Sequence, residues 1–327
     1  MPSAEAGPGV FTISLDFELL WGTVDLYGPE RFRRACEVER EVVIDRLLAL
    51  FEEYEIPATW CVLGHLFLAS CQASGGRAHP EIVRPRHAWV RGDWFQHDPC
   101  SDESRAPLFY GRQLVERILA CRVPQEIGSH SFSHVIFSDP GCSRETAASE
   151  LAACVGAARQ LGIEPSSFAF PRNGVGHLEL LPEFGITCYR GSAPRWYERE
   201  ELPRAAARLA RLVTVLSASA PPVVTPEPAV AGLWNVPASM IYFPSHGFRR
   251  HIPVARRVRR AVKGLAAAVR KGRIFHLWFH PTNLADEPDA MFAGLRAILE
   301  HACHLRRRRE LAIAPMCALV PGARAHL

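Results

Sequence analysis

Two acids, Asp16 and Glu18, stand two residues apart in "SLDFELLWG", where an apolar run ends. Residues i and i+2 of a strand point to one face, so the two carboxylates point together and Phe17 points away. Burying one carboxylate is costly and burying two is costlier; a divalent cation would relieve both. Further on, "EIGSHSFSH" puts His130 and His134 four residues apart, just past another apolar run. If a helix begins there, both imidazoles lie on one face, one turn apart, as a shared metal requires. Two histidines with one carboxylate make an open metal site whose remaining positions hold water or substrate. Seen alone, the acids read better as solvated loop carboxylates or helix caps, and the histidines equally well as two unrelated residues. It is the combination that points to one shared cation, open to water or substrate.

Two further groups fit such chemistry. His280 ends the apolar run "RIFHLWFH" and could serve as a general acid at a strand mouth. His276, on the same face, is some 13 Å deeper at strand rise, and reads as a satisfied core histidine. Arg172 in "FAFPRNGVG" could hold a carboxylate by a forked pair of hydrogen bonds, or be an ordinary surface arginine.

These residues need a scaffold that brings strand ends together. Short apolar runs alternate with helical stretches: "GVFTISLD", a helical region over about 30–54, "PATWCVLG", a helix near 114–121, "QEIGSHS", a helix around 145–161, "SSFAFP", then "GITCYRG", "GLWNVPASM", "RIFHLWFH" and "ELAIAPM". Strands separated by helices mean βαβ units and a parallel sheet. Repeated over some 300 residues, they fit a closed barrel better than an open sheet, and parallel barrels carry their sites at the strand C-terminal ends.

The motifs "SLDFE", "EIGSHSFSH", "FAFPRNGVG" and "IFHLWFHP" occur in that order. Together they resemble the polysaccharide deacetylase family (carbohydrate esterase family 4, the NodB homology domain) over roughly residues 10–316. The resemblance implies an α/β fold, a distorted (β/α)7-type barrel resembling a TIM barrel, as a single domain with a long loop insertion. It also implies a metal-dependent hydrolase of C–N bonds other than peptide bonds, removing N-acetyl or related N-acyl groups from amino sugars. In the family's usual first motif, T-F-D-D-G, the first Asp is the general base and the second binds the metal. Asp16 matches the base, but Phe17 stands at the metal-binding position, so Glu18, on the same face as Asp16, is expected to replace it in a D-x-E variant. His130 and His134 match the metal-binding histidines. His280 matches the acid that protonates the leaving amine, and Arg172 the arginine that pairs with the catalytic Asp. The implied cofactor is a divalent metal, Zn²⁺ in this reading.

The remaining features set the expected context. Residues 1–9 and 317–327 read as tails. Residues 72–110 form a long Pro-, His- and Trp-rich loop, and loops of that length are commonly functional or disordered. Trp89, Trp94 and Asp98 within it are candidate sugar contacts, weighed against tryptophans that pack the loop itself. "SASAPPVVTPEPAVAG" (217–232) reads as a surface excursion. The ten cysteines are scattered without a C-x-x-C pair, as for buried thiols in a reducing compartment. No signal-peptide pattern or ~20-residue apolar run is found, so a cytoplasmic location is expected. A net charge of +4 says little about partners; the expected one is an amino-sugar glycoconjugate or small sugar precursor, with no nucleic acid. Residues 249–273 carry ten Lys or Arg and no acid, with Val254, Val258, Val262, Leu265 and Val269 at helical spacing for packing inward. The outward basic face is a solvated helix surface or a weak contact with anionic membrane, at the inner face, or with a phosphate-bearing substrate. Two rival functions are a cyclic-ureide hydrolase on the same fold and a non-catalytic carbohydrate-binding relic.

Overall fold

Alternate positions of the first apolar run are polar, and they line the inside of a barrel. In a computed structural model, which describes residues 7–192 and 219–321, strand β1 (Gly9–Phe17) is buried along nearly its whole length. That is the mark of a parallel strand covered on both faces. Phe11 stacks on Phe275 and Phe17 meets Trp60 edge-on, whereas Ser14 and Asp16 face Arg190, which sits on the far side of the sheet.

Six further parallel staves complete the architecture. β1 pairs with β2 (Thr59–Val62) on one side and with β9 (Ile274–Phe279) on the other. β3 (Glu126–Ser129), β4 (Ser167–Ala169) and β5 (Cys188–Arg190) follow β2 in order. The last stave is the segment 233–241, which holds β7 (Leu233–Asn235) and β8 (Met240–Ile241). Its start pairs with β5 and its end with β9. The Ala238 N–H donates to the Gly191 carbonyl and the Ser239 N–H to that of His276, so this one segment draws the two sides together. The result is a single α/β domain whose parallel strands curl into the distorted (β/α)7-type barrel expected from the motifs. β10 (Leu311–Ile313) adds to the start of β1.

The connections differ from expectation in instructive places. The region 30–54 is helical but not uniform: a π-helical turn, Glu39–Val43, joins Arg33–Val38 to Ile44–Tyr54. Such turns cost helix geometry and recur at functional sites; this one carries Glu39 into the interior. The stretch 217–232 is more than an excursion. Residues 217–218 lie outside the described residues, as do 1–6 and 322–327, but Val224 pairs with Ile274, and β6 (Glu227–Val230) forms an antiparallel ribbon with β7. The basic helix, Val254–Lys271, buries Arg257, Ala261, Gly264, Leu265 and Ala268, and Val254, Val258 and Val269 of the expected stripe are half-buried against the core. Arg257 is accommodated because its guanidinium donates to Ser245 Oγ and to the Arg249 carbonyl. Among the described residues, no helix is long and apolar enough to cross a membrane, and all ten cysteines are free thiols.

Candidate active site

β1, β3, β4, β5 and β9 all end on one face, and the chemical side chains gather there around a cavity of about 280 Å³ lined by Asp16, Glu18, His134, Arg172, Trp278 and His280. Asp16 is the penultimate residue of β1, and Glu18 follows the strand at the entry to a short 3₁₀ turn. Phe17 is fully buried on the other face, as the two-residue period requires. Gly22 faces the Glu18 carboxylate so closely that any β-carbon there would collide with it.

The two histidines of the second motif converge, but not on a helix. Residues 130–134 form a loop in which Ser131 and His134 adopt left-handed conformations, at φ 60° and 68°. A buried acid that the motifs do not include holds the loop. Glu150, on the helix Arg144–Arg159, accepts the Phe132 and Ser133 N–H groups at 2.9 and 2.8 Å and the Ser133 hydroxyl at 2.5 Å. The imidazole centroids of His130 and His134 thereby come within 5.3 Å.

His130 Nδ1 lies 2.8 Å from the Ala169 carbonyl oxygen, which can only accept, so this nitrogen carries the proton. In the neutral ring, Nε2 then turns a lone pair toward Glu18 Oε1, 2.8 Å away. His134 Nε2 is 3.5 Å from the same oxygen, and its Nδ1 is buried with no hydrogen-bond partner among the described residues. Lone pairs converging on a carboxylate make a donor set that suits a divalent cation. The ligand atoms of Glu18, His130 and His134 all lie within 4.8 Å of one another, close enough to hold one ion.

A second arginine changes the assignment beside Asp16. Arg172 does not reach it. The loop after β4 turns outward with Arg172 and Asn173 at positive φ, and Arg172 Nη2 bonds both oxygens of Asp25 at 2.6 Å. The partner of Asp16 is Arg190, the last residue of β5. Its side chain crosses the barrel interior, and both terminal nitrogens meet the Asp16 carboxylate at 2.6 Å. Burial pushes Asp16 toward the neutral form, but the charge and fork of Arg190 outweigh it and hold the carboxyl below its ordinary range. Arg190 carries the sequence signature noted for His280, an ionisable residue ending an apolar strand. The family motif drew attention to Arg172 instead.

His280 Nε2 stands 3.3 Å from Glu18 Oε1 and 3.7 Å from Asp16 Oδ2. Burial lowers the pKa of this imidazole, yet the two carboxylates win and raise it to about 9. His276 is, as expected, a satisfied interior group. It is bonded to Ser14 Oγ at 2.8 Å and the Val236 carbonyl at 3.2 Å, and burial lowers its pKa to about 3. Glu39, which sequence reasoning missed, is buried beside Glu18, and burial together with that neighbour pushes its carboxyl well above the usual range.

The insertion 72–110 corrects two of the three proposed sugar contacts. Trp94 is buried and donates from Nε1 to Ser133 Oγ at 2.8 Å, so it braces the histidine loop from behind. The Asp98 carboxylate is sealed between His65 and His79 and cannot meet a ligand in the cavity. Trp89 alone is exposed. It stacks on His87 and lies beside the Arg172–Asp25 pair at the cavity's edge.

No family model matches the chain, and no curated protein does. Solved structures do. A protein from Mycobacterium smegmatis described as a polysaccharide deacetylase superposes with a TM-score of 0.64 at 15% identity, over 99% of this chain and 93% of that one. One described likewise from Pseudomonas aeruginosa PAO1 gives 0.58 at 11% identity, over 95% and 89%. An allantoinase gives 0.57 at 10% identity, over 95% and 88%. The chain thus shares its fold, end to end, with proteins described as polysaccharide deacetylases.

Proposed function

We propose that the protein is a metal-dependent hydrolase that removes an N-acetyl or related N-acyl group from an amino-sugar substrate. The observation that carries this reading is the division of labour around one cavity. Glu18, His130 and His134 form a three-donor set open on one side, and beyond it stand an ionised carboxylate, Asp16, and a protonated imidazole, His280. A three-donor open set is what catalytic zinc sites use, and we assign the cation as Zn²⁺. When bound, it supplies a Lewis acid to the acyl carbonyl and acidifies water.

The residues do the rest. Asp16, kept ionised and aimed by Arg190, takes the proton from the attacking water. His280, protonated at neutral pH, gives a proton to the departing nitrogen, which is otherwise a very poor leaving group. Water and amide become acetic acid and amine, and the two side chains end with their protonation exchanged. Arg172, tied to Asp25 and lining the cavity, is assigned to the substrate rather than to Asp16.

Incubating the zinc-loaded protein with a panel of N-acetylhexosamines and their glycosides tests the proposal. Acetate released from at least one member, and lost in Asp16→Asn, is expected. No acetate from any, with ring opening of a cyclic ureide instead, would replace this reading with the amidohydrolase one that shares the fold.

A further inference from the structure

A second cluster of metal-ligand side chains lies away from the cavity, in the wall behind Trp21. His65 sits in the 3₁₀ turn Gly64–Phe67 just after β2. Cys71 follows it, and His79 and Asp98 come from the long insertion. The side chains of His65 and Asp98 are fully buried, and that of His79 is 9% exposed. One atom from each of the four residues lies within 4.8 Å of every other.

The three spacings measured from Asp98 are those of a tetrahedron's edges. With metal–nitrogen and metal–oxygen bonds near 2.0 Å and a metal–sulfur bond near 2.3 Å, neighbouring donors stand about 3.3–3.5 Å apart. Asp98 Oδ2 is 3.1 Å from His65 Nε2, 3.0 Å from His79 Nε2 and 3.6 Å from Cys71 Sγ. The hydrogen-bond chemistry points the same way. His65 Nδ1 is 3.0 Å from the Phe109 carbonyl oxygen, so it carries the proton, and the neutral ring presents a lone pair at Nε2 to a carboxylate. A backbone carbonyl behind a ligating imidazole is the usual outer shell that fixes the tautomer for metal binding. The Tyr110 hydroxyl, 3.1 Å from Cys71 Sγ, and the Cys100 N–H, which donates to Asp98 Oδ1 at 2.9 Å, occupy the outside of the same cluster.

We infer that His65, Cys71, His79 and Asp98 form a second, structural metal site, which takes a tetrahedral divalent cation of the zinc class and fastens the insertion 72–110 to the barrel. Two imidazoles, a thiolate and a carboxylate suit a borderline-soft ion far better than magnesium or calcium, which prefer all-oxygen shells. Binding releases the Cys71 thiol proton to solvent. Four protein donors leave no position for substrate, so the site is closed. The clamp bears on the catalytic wall: the His65 ring packs 4.5 Å from Trp21 and that of His79 5.1 Å from Phe132, one on each of the two loops that carry Glu18 and His130.

The inference does not rest on the proposed activity, because only this site contains a sulfur donor. The full chain, loaded with Co²⁺ in place of zinc, should show a near-ultraviolet thiolate-to-cobalt charge-transfer band. Cys71→Ser, which keeps a hydroxyl for Asp98 and Tyr110, should lose the band; Glu18→Gln should retain it. By elemental analysis after zinc loading and dialysis, the wild type should hold two equivalents, and both Cys71→Ser and His79→Gln one. A wild-type cobalt protein without the band, or a band and stoichiometry unchanged in Cys71→Ser, overturns the assignment. Because the wild type alone can fail the first test, a poorly folded variant does not shelter it. Failure of the catalytic-site reading would show separately, as unchanged metal content in Glu18→Gln.

Discussion

The protein contains one hydrogen-bond pattern twice, in two settings. At the cavity, a backbone carbonyl orients His130 and a carboxylate, Glu18, faces its other nitrogen. In the insertion, a carbonyl orients His65 and Asp98 faces it. The difference lies in what surrounds each pattern. The first has three donors, an opening to a cavity, and two further ionisable groups whose protonation is driven apart: Asp16 ionised by Arg190, His280 protonated by its acidic neighbours. The second has four donors, and the side chains of His65 and Asp98 within it are fully buried. Ligand type alone therefore does not separate chemistry from scaffolding; an open coordination position beside a matched acid and base does.

The sharpest way to break this comparison is to remove the base. Asp16→Asn keeps the size of the side chain, and its amide oxygen can still accept from one arm of the Arg190 fork, yet the variant cannot take a proton. Activity should fall by about 10²–10⁴-fold, the range that a positioned general base contributes. Metal content should stay near that of the wild type, since Asp16 is not in the three-donor set. Retained activity would make Asp16 a structural partner of Arg190 and return the cavity to the same status as the sealed cluster.

His280 offers a finer cut. Its proton matters only if the leaving group needs one. His280→Ala should slow amide hydrolysis by roughly 10²-fold or more, and should slow an activated acetyl ester, whose leaving group departs unaided, much less. Equal losses on both would assign His280 to binding rather than to proton transfer.

Next in size is the acid limb of the pH profile. Asp16 acts only when ionised, and its carboxyl is held low against the opposing pull of burial. Activity should therefore persist as pH falls through the ordinary carboxylate range and fail below it. In Arg190→Met burial is opposed only by the neighbouring imidazoles of His130 and His280, and the acid limb of kcat/KM should move to higher pH. Breaking a buried pair also destabilises the fold by about 3–5 kcal/mol, so Arg190→Lys is the companion variant. It keeps the charge, loses the fork, and should restore much of the limb's position. An unmoved limb in both would mean that Arg190 is not what keeps Asp16 ionised.

How much of this was legible in the sequence follows from which signals are local. The strand–helix alternation and the pairing of Asp16 with Glu18 on one face depend only on local periodicity, and the structure shows both the barrel and the convergence of the two acids. The approach of His130 to His134 was visible as spacing, but the route was not. A helix was expected, whereas Ser131 and His134 turn left-handed because Glu150, sixteen residues downstream of His134, collects the loop's N–H groups. Arg190 was hidden for a related reason. The arginine nearest the motif in sequence is carried outward by the turn after β4, while the one that reaches Asp16 comes from the next strand across the barrel. The sealed cluster was invisible as a set: His65, Cys71, His79 and Asp98 share no recurrent spacing, and only packing of the insertion brings them together. The same packing removes Trp94 and Asp98 from the list of sugar contacts.

The smallest expected effects come from the two tryptophans of the insertion, and they sharpen the comparison because the sequence did not separate them. Trp89 is exposed beside Arg172 at the cavity edge, and Trp94 is buried against Ser133. An exposed aromatic next to a guanidinium is worth about 0.5–1 kcal/mol. Trp89→Ala should therefore raise KM for a sugar substrate by about two- to five-fold, with kcat and thermal stability little changed. Trp94→Phe removes one buried hydrogen bond and should lower stability by about 1 kcal/mol. Its KM should stay at the wild-type value, because Glu150 still anchors the Ser133 hydroxyl and the histidine loop with it. If Trp94→Phe instead changed KM as much as Trp89→Ala, the insertion would act on substrate through the histidine loop rather than through its exposed edge. The boundary drawn between the open site and the sealed wall behind it would then have to move.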